Sequence, residues 1–291
     1  MNRLSFNVLL LLMLGLLTGL PRLAHAAQSY DNCTGFITSL PTTISSQGTW
    51  CLKQDLTTAI NHGEAITISA NNVTLDCNDF RLGGLAAGLG TTAYGIYAYG
   101  RVNATVRHCN IRGFYDGLNL AGPGSGGHVV EDNRFDGNTV VALHVEGDGS
   151  VVQRNRIFDT GGSTASTGFA TAIEVWYSTD VLDNIVSGVS ATAGSGGTVW
   201  GIYTYQGVGS RVVGNGVRNL FKDGAGIAYG VFNYSYVRVL MRDNDVLADG
   251  SANTRGFYCG SNAGVVRDNV IADFASPIMN CTDAGGNYTT P

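Results

Sequence analysis

Apolar positions recur along this chain in two short phrases that alternate between residue 65 and residue 281. The first reads HVVEDNRFDGN at 128–138 and again GVVRDNVIADF at 264–274. Alternating apolar residues lead to an Asn, and another apolar residue follows. Aligned on that Asn, the phrase falls at Asn78, Asn110, Asn133, Asn155, Asn184, Asn215, Asn244 and Asn269, at spacings of 22 to 32 residues. The second phrase reads GIYAY at 95–99, GLNLA at 117–121, ALHVE at 142–146 and AIEVW at 172–176. It continues as GIYTY at 201–205, GVFNY at 230–234, GFYCG at 256–260 and PIMNC at 277–281, with a fainter copy, AITIS, at 65–69. Strict alternation over so few residues predicts short half-buried strands, and Gly-rich stretches between them predict turns. No helical period follows residue 26. One such unit cannot bury its own apolar face, so units repeated at this spacing must stack and share one continuous core. The Asn of the first phrase is expected at a left-handed turn position, with its side chain hydrogen-bonding along the stack.

A Gly-Ile strand followed by a Val-x-Val-x-x-Asn strand on every coil resembles the right-handed parallel β-helix repeat proteins of the pectate-lyase-like superfamily. The resemblance covers roughly residues 44–282. It implies an all-β, single-domain solenoid of about eight to nine coils. The crossover rule for parallel strands independently favours the right-handed form. Residues 27–60 are expected to form an N-terminal cap with the first strands, and 61–291 the β-helix. Rungs about 4.8 Å apart place Cys77 over Cys109, each one residue before its Asn, within disulfide reach. Cys259 and Cys281 lie on the last two Gly-Ile strands, one register position apart. Cys33 and Cys51 are left to clip the cap.

Composition fits a turn-rich β protein: 41 Gly, and 13% charged residues. The first 26 residues read as a signal peptide, with VLLLLMLGLLTGL ahead of Ala24-His25-Ala26. That apolar stretch is too short for a membrane span, and export to a periplasmic or extracellular space is expected. Loss of Arg3 and Arg22 takes Lys+Arg from 17 to 15 against 22 Asp+Glu, a net of −7. This balance argues against a nucleic-acid partner. An even set of six Cys in an exported chain predicts disulfides, although spacing alone leaves 15 connectivities. Neither CxxC nor Cys/His zinc spacing is present, and no metal or cofactor is expected. His62, His108 and His128 are expected alone on rung edges or loops.

Candidate chemistry lies on one face. The second residue of the Gly-Ile phrase is apolar throughout, so the third and fifth point away from the core. The third positions are Tyr97, Asn119, His144, Glu174, Tyr203, Phe232, Tyr258 and Met279. The fifth are Tyr99, Ala121, Glu146, Trp176, Tyr205, Tyr234, Gly260 and Cys281. Flat rings with polar edges suit sugar faces. Tyr97, Tyr99, Trp176, Tyr203, Tyr205, Phe232 and Tyr234 are therefore candidate ligand-binding residues for a polysaccharide or cell-surface glycan. His144, Glu146 and Glu174 form a polar cluster near the middle and are candidate catalytic residues. Two carboxylates in unlike surroundings can divide acid and base roles in glycoside cleavage. The long loops 158–170 and 187–199 precede two of these strands and are placed to wall a groove.

Two other uses of the same face stay open: a non-catalytic structural or adhesive rod, and self-association through the aromatic ribbon. The resemblance also brings departures. The calcium-dependent lyases of this fold group acidic residues with an Arg or Lys base, and these outward positions hold neither Arg nor Lys. The Asp-Pro-His-Glu motif of the alginate epimerases and the Asp-rich motifs of the polygalacturonases are absent.

Overall fold

Each coil of the chain lays down three short strands, and each strand short of the rod's ends pairs in parallel with its counterparts on the coils before and after. This is seen in a computed structural model that describes Tyr30 and residues 32–290 except 208. The expected signal peptide, residues 1–26, lies outside the described residues. The result is a right-handed solenoid of about nine turns. It has one sheet of eleven strands and two of ten, within the compact unit Cys33–Pro291. The first sheet runs from Gly35–Ile37 to Thr282–Asp283, the second from Leu56–Thr57 to Tyr288–Thr289, and the third from Thr42–Ile44 to Ser276–Met279. A 3-10 turn at Leu85–Ala87 is the one helical element among the described residues, and no helix there is long and apolar enough to cross a membrane.

Register follows the apolar pattern because a one-residue slip would turn every inward side chain out. In the third sheet Ile96, Leu118, Leu143, Ile173, Ile202, Val231 and Phe257 stack rung on rung, all fully buried. In the second, Ile111, Phe135, Ile157, Val186, Val217, Val246 and Ile271 do the same. Glycine opens the Gly-Ile phrase for a packing reason. A Cβ on Gly201 would come 2.4 Å from Val217 Cγ1 and 2.6 Å from the Gly230 carbonyl oxygen.

Between the first and second sheets runs an Asn ladder, buried at Asn133, Asn155, Asn184, Asn215, Asn244 and Asn269 and ending at the half-buried Asn287. At each step the main-chain N–H and the Nδ2 of one Asn both donate to Oδ1 of the next. From Asn184 to Asn215 these distances are 2.9 and 3.0 Å. Nδ2 also donates to a carbonyl of the coil below, Val152 in the case of Asn184. Buried amides therefore satisfy main-chain groups that a turn would otherwise orphan.

Two details differ from the sequence expectation. The left-handed residue is the one before the ladder position, at His108 (before Cys109), Asp132, Arg154, Asp183, Gly214, Asp243, Asp268 and Gly286; of the aligned Asn, Asn78 alone is itself left-handed, at φ 48°. The ladder Asn is freed from the turn and points inward. Asn110 is also off the ladder. It pairs with Arg134, one position past Asn133, and the ladder position on its coil belongs to Cys109. The Cys109 N–H donates to Asn133 Oδ1 at 3.0 Å, and its sulfur bonds Cys77 on the coil below. A disulfide thus continues the stack where the amides stop. Cys259–Cys281, as the rung positions indicated, and Cys33–Cys51, the pair left over, are the other two bridges.

His128 sits in the interior rather than on an edge, fully buried. Its Nδ1 accepts the Ala104 N–H at 3.2 Å, and Nε2 faces Ser125 Oγ at 2.9 Å. Burial outweighs these contacts and lowers its pKa from the ordinary 6.5 to about 4. Between those values the unfolded chain takes up a proton that the folded one refuses. Stability is therefore complete above pH 6.5 and is lost towards pH 4, by about 3 kcal/mol. His128→Asn is expected to flatten this acid limb in urea melts run across the window. An unchanged slope would contradict it.

Candidate functional site

The third sheet presents its outward side chains in three rows. Two are the rows expected from the sequence. Tyr97, Asn119, His144, Glu174, Tyr203, Phe232 and Tyr258 lie in register on successive rungs, and so do Tyr99, Ala121, Glu146, Trp176, Tyr205 and Tyr234. The third row holds the residue just before each phrase: Tyr94, Asp116, Val141, Thr171, Trp200, Tyr229 and Arg255. Sequence reasoning that began each phrase at its Gly passed over this row. Strict alternation from the inward second residue would have turned this row into the core. It faces outward because the residue that opens each phrase also points inward, as at Gly95 against Phe114 and Ile111 and at Gly201 against Val217, a local break in the alternation.

The rings touch along the rod. Trp176 and Tyr205 have centroids 4.8 Å apart, and Tyr205 lies parallel to Tyr234 at 5.9 Å. Tyr203 meets Phe232 at 5.3 Å, and Trp200 is flanked by Phe169, Tyr203, Tyr229 and Phe232. Tyr99 and Tyr234 are exposed, while Trp176, Tyr203, Tyr205 and Phe232 are half-buried. Arg255 lies over Tyr229 and Tyr258 and donates to the Tyr229 hydroxyl at 2.9 Å. It is the only Lys or Arg in the strands of this sheet.

The acidic cluster interrupts the rings on three adjacent rungs. His144 pairs directly with Glu174 and stacks near Trp176 at 5.3 Å between ring centroids. Its Nε2 lies 3.2 Å from Glu146 Oε1, close enough to pair charge but out of line for a hydrogen bond. Glu146 Oε2 accepts the Gly122 N–H at 2.8 Å, and Glu174 Oε1 accepts the Trp176 indole N–H at 2.8 Å. Asp116, missed in the sequence, joins them from the rung below His144. It is 5% exposed; Oδ2 accepts Asn119 Nδ2 at 3.1 Å and Oδ1 has no protein partner.

These surroundings separate the acids. Burial pushes the Asp116 carboxyl up to about 7, against the opposing pull of Asn119 and His144. Burial would also raise Glu146, but the His144 ring and the Gly122 N–H more than offset it and hold its pKa below the usual range. Burial alone would lower His144; Glu146, Glu174 and Asp116 together raise it instead. At neutral pH the site can hold a proton on Asp116 beside an ionised Glu146.

The loops expected as walls are partly strand, at Arg156–Gly161 and Ile185–Ser190. Their remainders stack along the edge where the third-sheet strands begin. Thr192 Oγ1 donates to the Ser163 carbonyl at 2.7 Å, and the Thr164 N–H donates to the Leu89 carbonyl at 3.0 Å. A separate groove of about 550 Å³ opens between the first and second sheets, lined by Asp132, Arg154 and Asp183 among others. Arg154 there is paired with Glu131 at 2.7 Å and Asp132 at 2.8 Å, an internal charge balance.

The structure superimposes on solved right-handed β-helices at low identity. The A-module of the mannuronan C-5 epimerase AlgE6 from Azotobacter vinelandii matches at a TM-score of 0.50 and 12% identity, covering 87% of this chain and 88% of that one. The Dettilon tailspike protein matches at 0.41 and 14%, covering 84% of this chain and 60% of that one. The catalytic domain of a GH87 α-1,3-glucanase matches at 0.41 and 11%, covering 88% and 60%. No curated protein sequence matches the chain. Residues 55–217, more than half the chain, match the family described as right handed beta helix region, and the protein belongs to that family.

Proposed function

We propose that the outward face of the third sheet binds an extracellular glycan, and that the cluster at its middle cleaves it. One observation carries this reading: three registered rows of rings are interrupted at one place by Asp116, His144, Glu146 and Glu174. Stacked rings give a linear sugar chain a continuous apolar track, and solenoid faces form extended binding surfaces. Export of the mature chain is part of the proposal, supported by three disulfides that suit an oxidising compartment. The epimerase A-module, by its name an enzyme acting on mannuronan, shares the fold. That likeness is an analogy of fold alone.

For cleavage, Asp116 carries the proton that a leaving oxygen needs. Glu146, kept ionised, and Glu174 supply the second carboxylate, with His144 neutralising charge between them. Purified residues 27–291 incubated with acidic and neutral polysaccharides should release new reducing ends without unsaturated product. Glu146→Gln and Glu174→Gln should each lower that rate at least a hundredfold while binding persists. Binding without turnover would leave a glycan-binding rod. Neither would point to a purely structural rod.

A further inference from the structure

We propose that the glycan is neutral and hydroxyl-rich, lies along the rod axis, and is read by one polar side chain per rung: Asp116, His144, Thr171 and Trp200. This deepens the glycan-binding reading above and rests on it.

Nine buried side-chain polar atoms among the described residues lack a protein hydrogen-bond partner. Four of them, Asp116 Oδ1, His144 Nε2, Thr171 Oγ1 and Trp200 Nε1, belong to outward positions of the third sheet, although His144 Nε2 is charge-paired with Glu146 Oε1 at 3.2 Å. They fall on four successive rungs, one on each. Leaving such an atom unpaired destabilises a fold, and a Val at 171 would remove the penalty with little change of shape, whereas a Phe at 200 removes the indole N–H together with part of the ring packing. Keeping one per rung on a single face is the kind of local conflict expected at a binding site.

The atoms also define their ligand. An indole N–H only donates, while a protonated carboxyl and a hydroxyl each donate and accept. Sugar hydroxyls donate and accept, so they can meet this mixture in turn. Rungs spaced about 4.8 Å apart are close to the advance of one sugar ring in an extended chain. Charge points the same way. Glu146 and Glu174 lie on these rungs, whereas the sheet's one Arg, Arg255, is two rungs beyond Trp200 and already engaged by Tyr229. A polyuronate would set carboxylates against Glu146 and Glu174, which is costly at close range. The rings around Trp200 are side chains of Phe169, Tyr203, Tyr229 and Phe232, so access needs rotamer changes and no opening of the main chain.

The test is calorimetric titration of the mature protein with neutral gluco-, manno- and xylo-oligosaccharides and with oligouronates of equal length, repeated with Thr171→Val and Trp200→Phe. At least one neutral series should bind and the oligouronates should not. Thr171→Val should melt at or above the parent temperature, and each variant should bind about tenfold more weakly, the loss of one hydrogen bond per ligand. Oligouronates binding as tightly as neutral chains, or both variants keeping full affinity, would overturn the inference and leave the glycan-binding reading intact. Silence with every glycan would overturn both.

Discussion

Asn184→Ala is expected to destabilise the protein by about 4 kcal/mol or more, enough to impair folded yield. Asn184 is fully buried and serves both neighbours in its ladder. Its Oδ1 accepts the main-chain N–H of Asn155 at 2.9 Å and Asn155 Nδ2 at 3.0 Å. Its Nδ2 donates to Val152, Leu182 and Asn215. Alanine would strand donors and acceptors on three coils, where water cannot replace the amide. Asn110→Ala is the matched control. In sequence it looks like the same residue, but its buried Oδ1 has no partner, and its loss should cost less than about 1 kcal/mol. Chemical denaturation of the two variants measures the difference. Equal losses would mean that the ladder does not organise the coil.

A second large effect concerns pH. Asp116 has its carboxyl pKa raised from the ordinary 3.8 to about 7, chiefly by burial. Between those values the folded protein keeps a proton that the unfolded chain gives up. The stabilisation is complete below pH 3.8 and is lost as pH rises to about 7, by about 4 kcal/mol. His128 works in the opposite direction over much of this window, so the parent protein should show a shallow profile. Asp116→Asn keeps an acceptor for Asn119 but cannot ionise. It should be more stable than the parent near pH 8 and should expose the acid limb set by His128. Denaturant midpoints of the two proteins from pH 4 to 8 check this. Parallel profiles would show that Asp116 is ionised in the folded state, and would remove it as the proton donor.

Much of this could be read from the sequence, because a solenoid writes its register into a repeat. The inward row from Ile96 to Phe257 and the pairs Cys77–Cys109 and Cys259–Cys281 followed from alternation and rung position, and Cys33–Cys51 as the pair left over. The errors arose where equivalent positions carry different chemistry. Cys109 replaces a ladder Asn, so an alignment by residue type slid to Asn110. The left-handed turn went to the neighbour of the ladder Asn because a buried, five-fold hydrogen-bonded amide must point inward. In the site, the two ribbon rows and the cluster of His144, Glu146 and Glu174 were legible. Asp116, Thr171 and Trp200 were not, because their row varies from Tyr to Asp to Val and shows no residue-type signal. Burial, which gives Asp116 its chemistry, depends on rungs distant in sequence.

The most direct test of the ribbon uses the protein's own reporters. Of its three tryptophans, Trp176 and Trp200 lie on the proposed glycan face and Trp50 near the start of the rod. Emission should therefore be followed in Trp50→Phe protein during titration with a neutral oligosaccharide whose binding calorimetry has established. A saturable change in emission, with the same midpoint as the calorimetric curve and a smaller amplitude in Trp176→Phe, is the expected result. A glycan that binds with full heat while leaving both indoles unchanged would place its site elsewhere and contradict the assignment of this face.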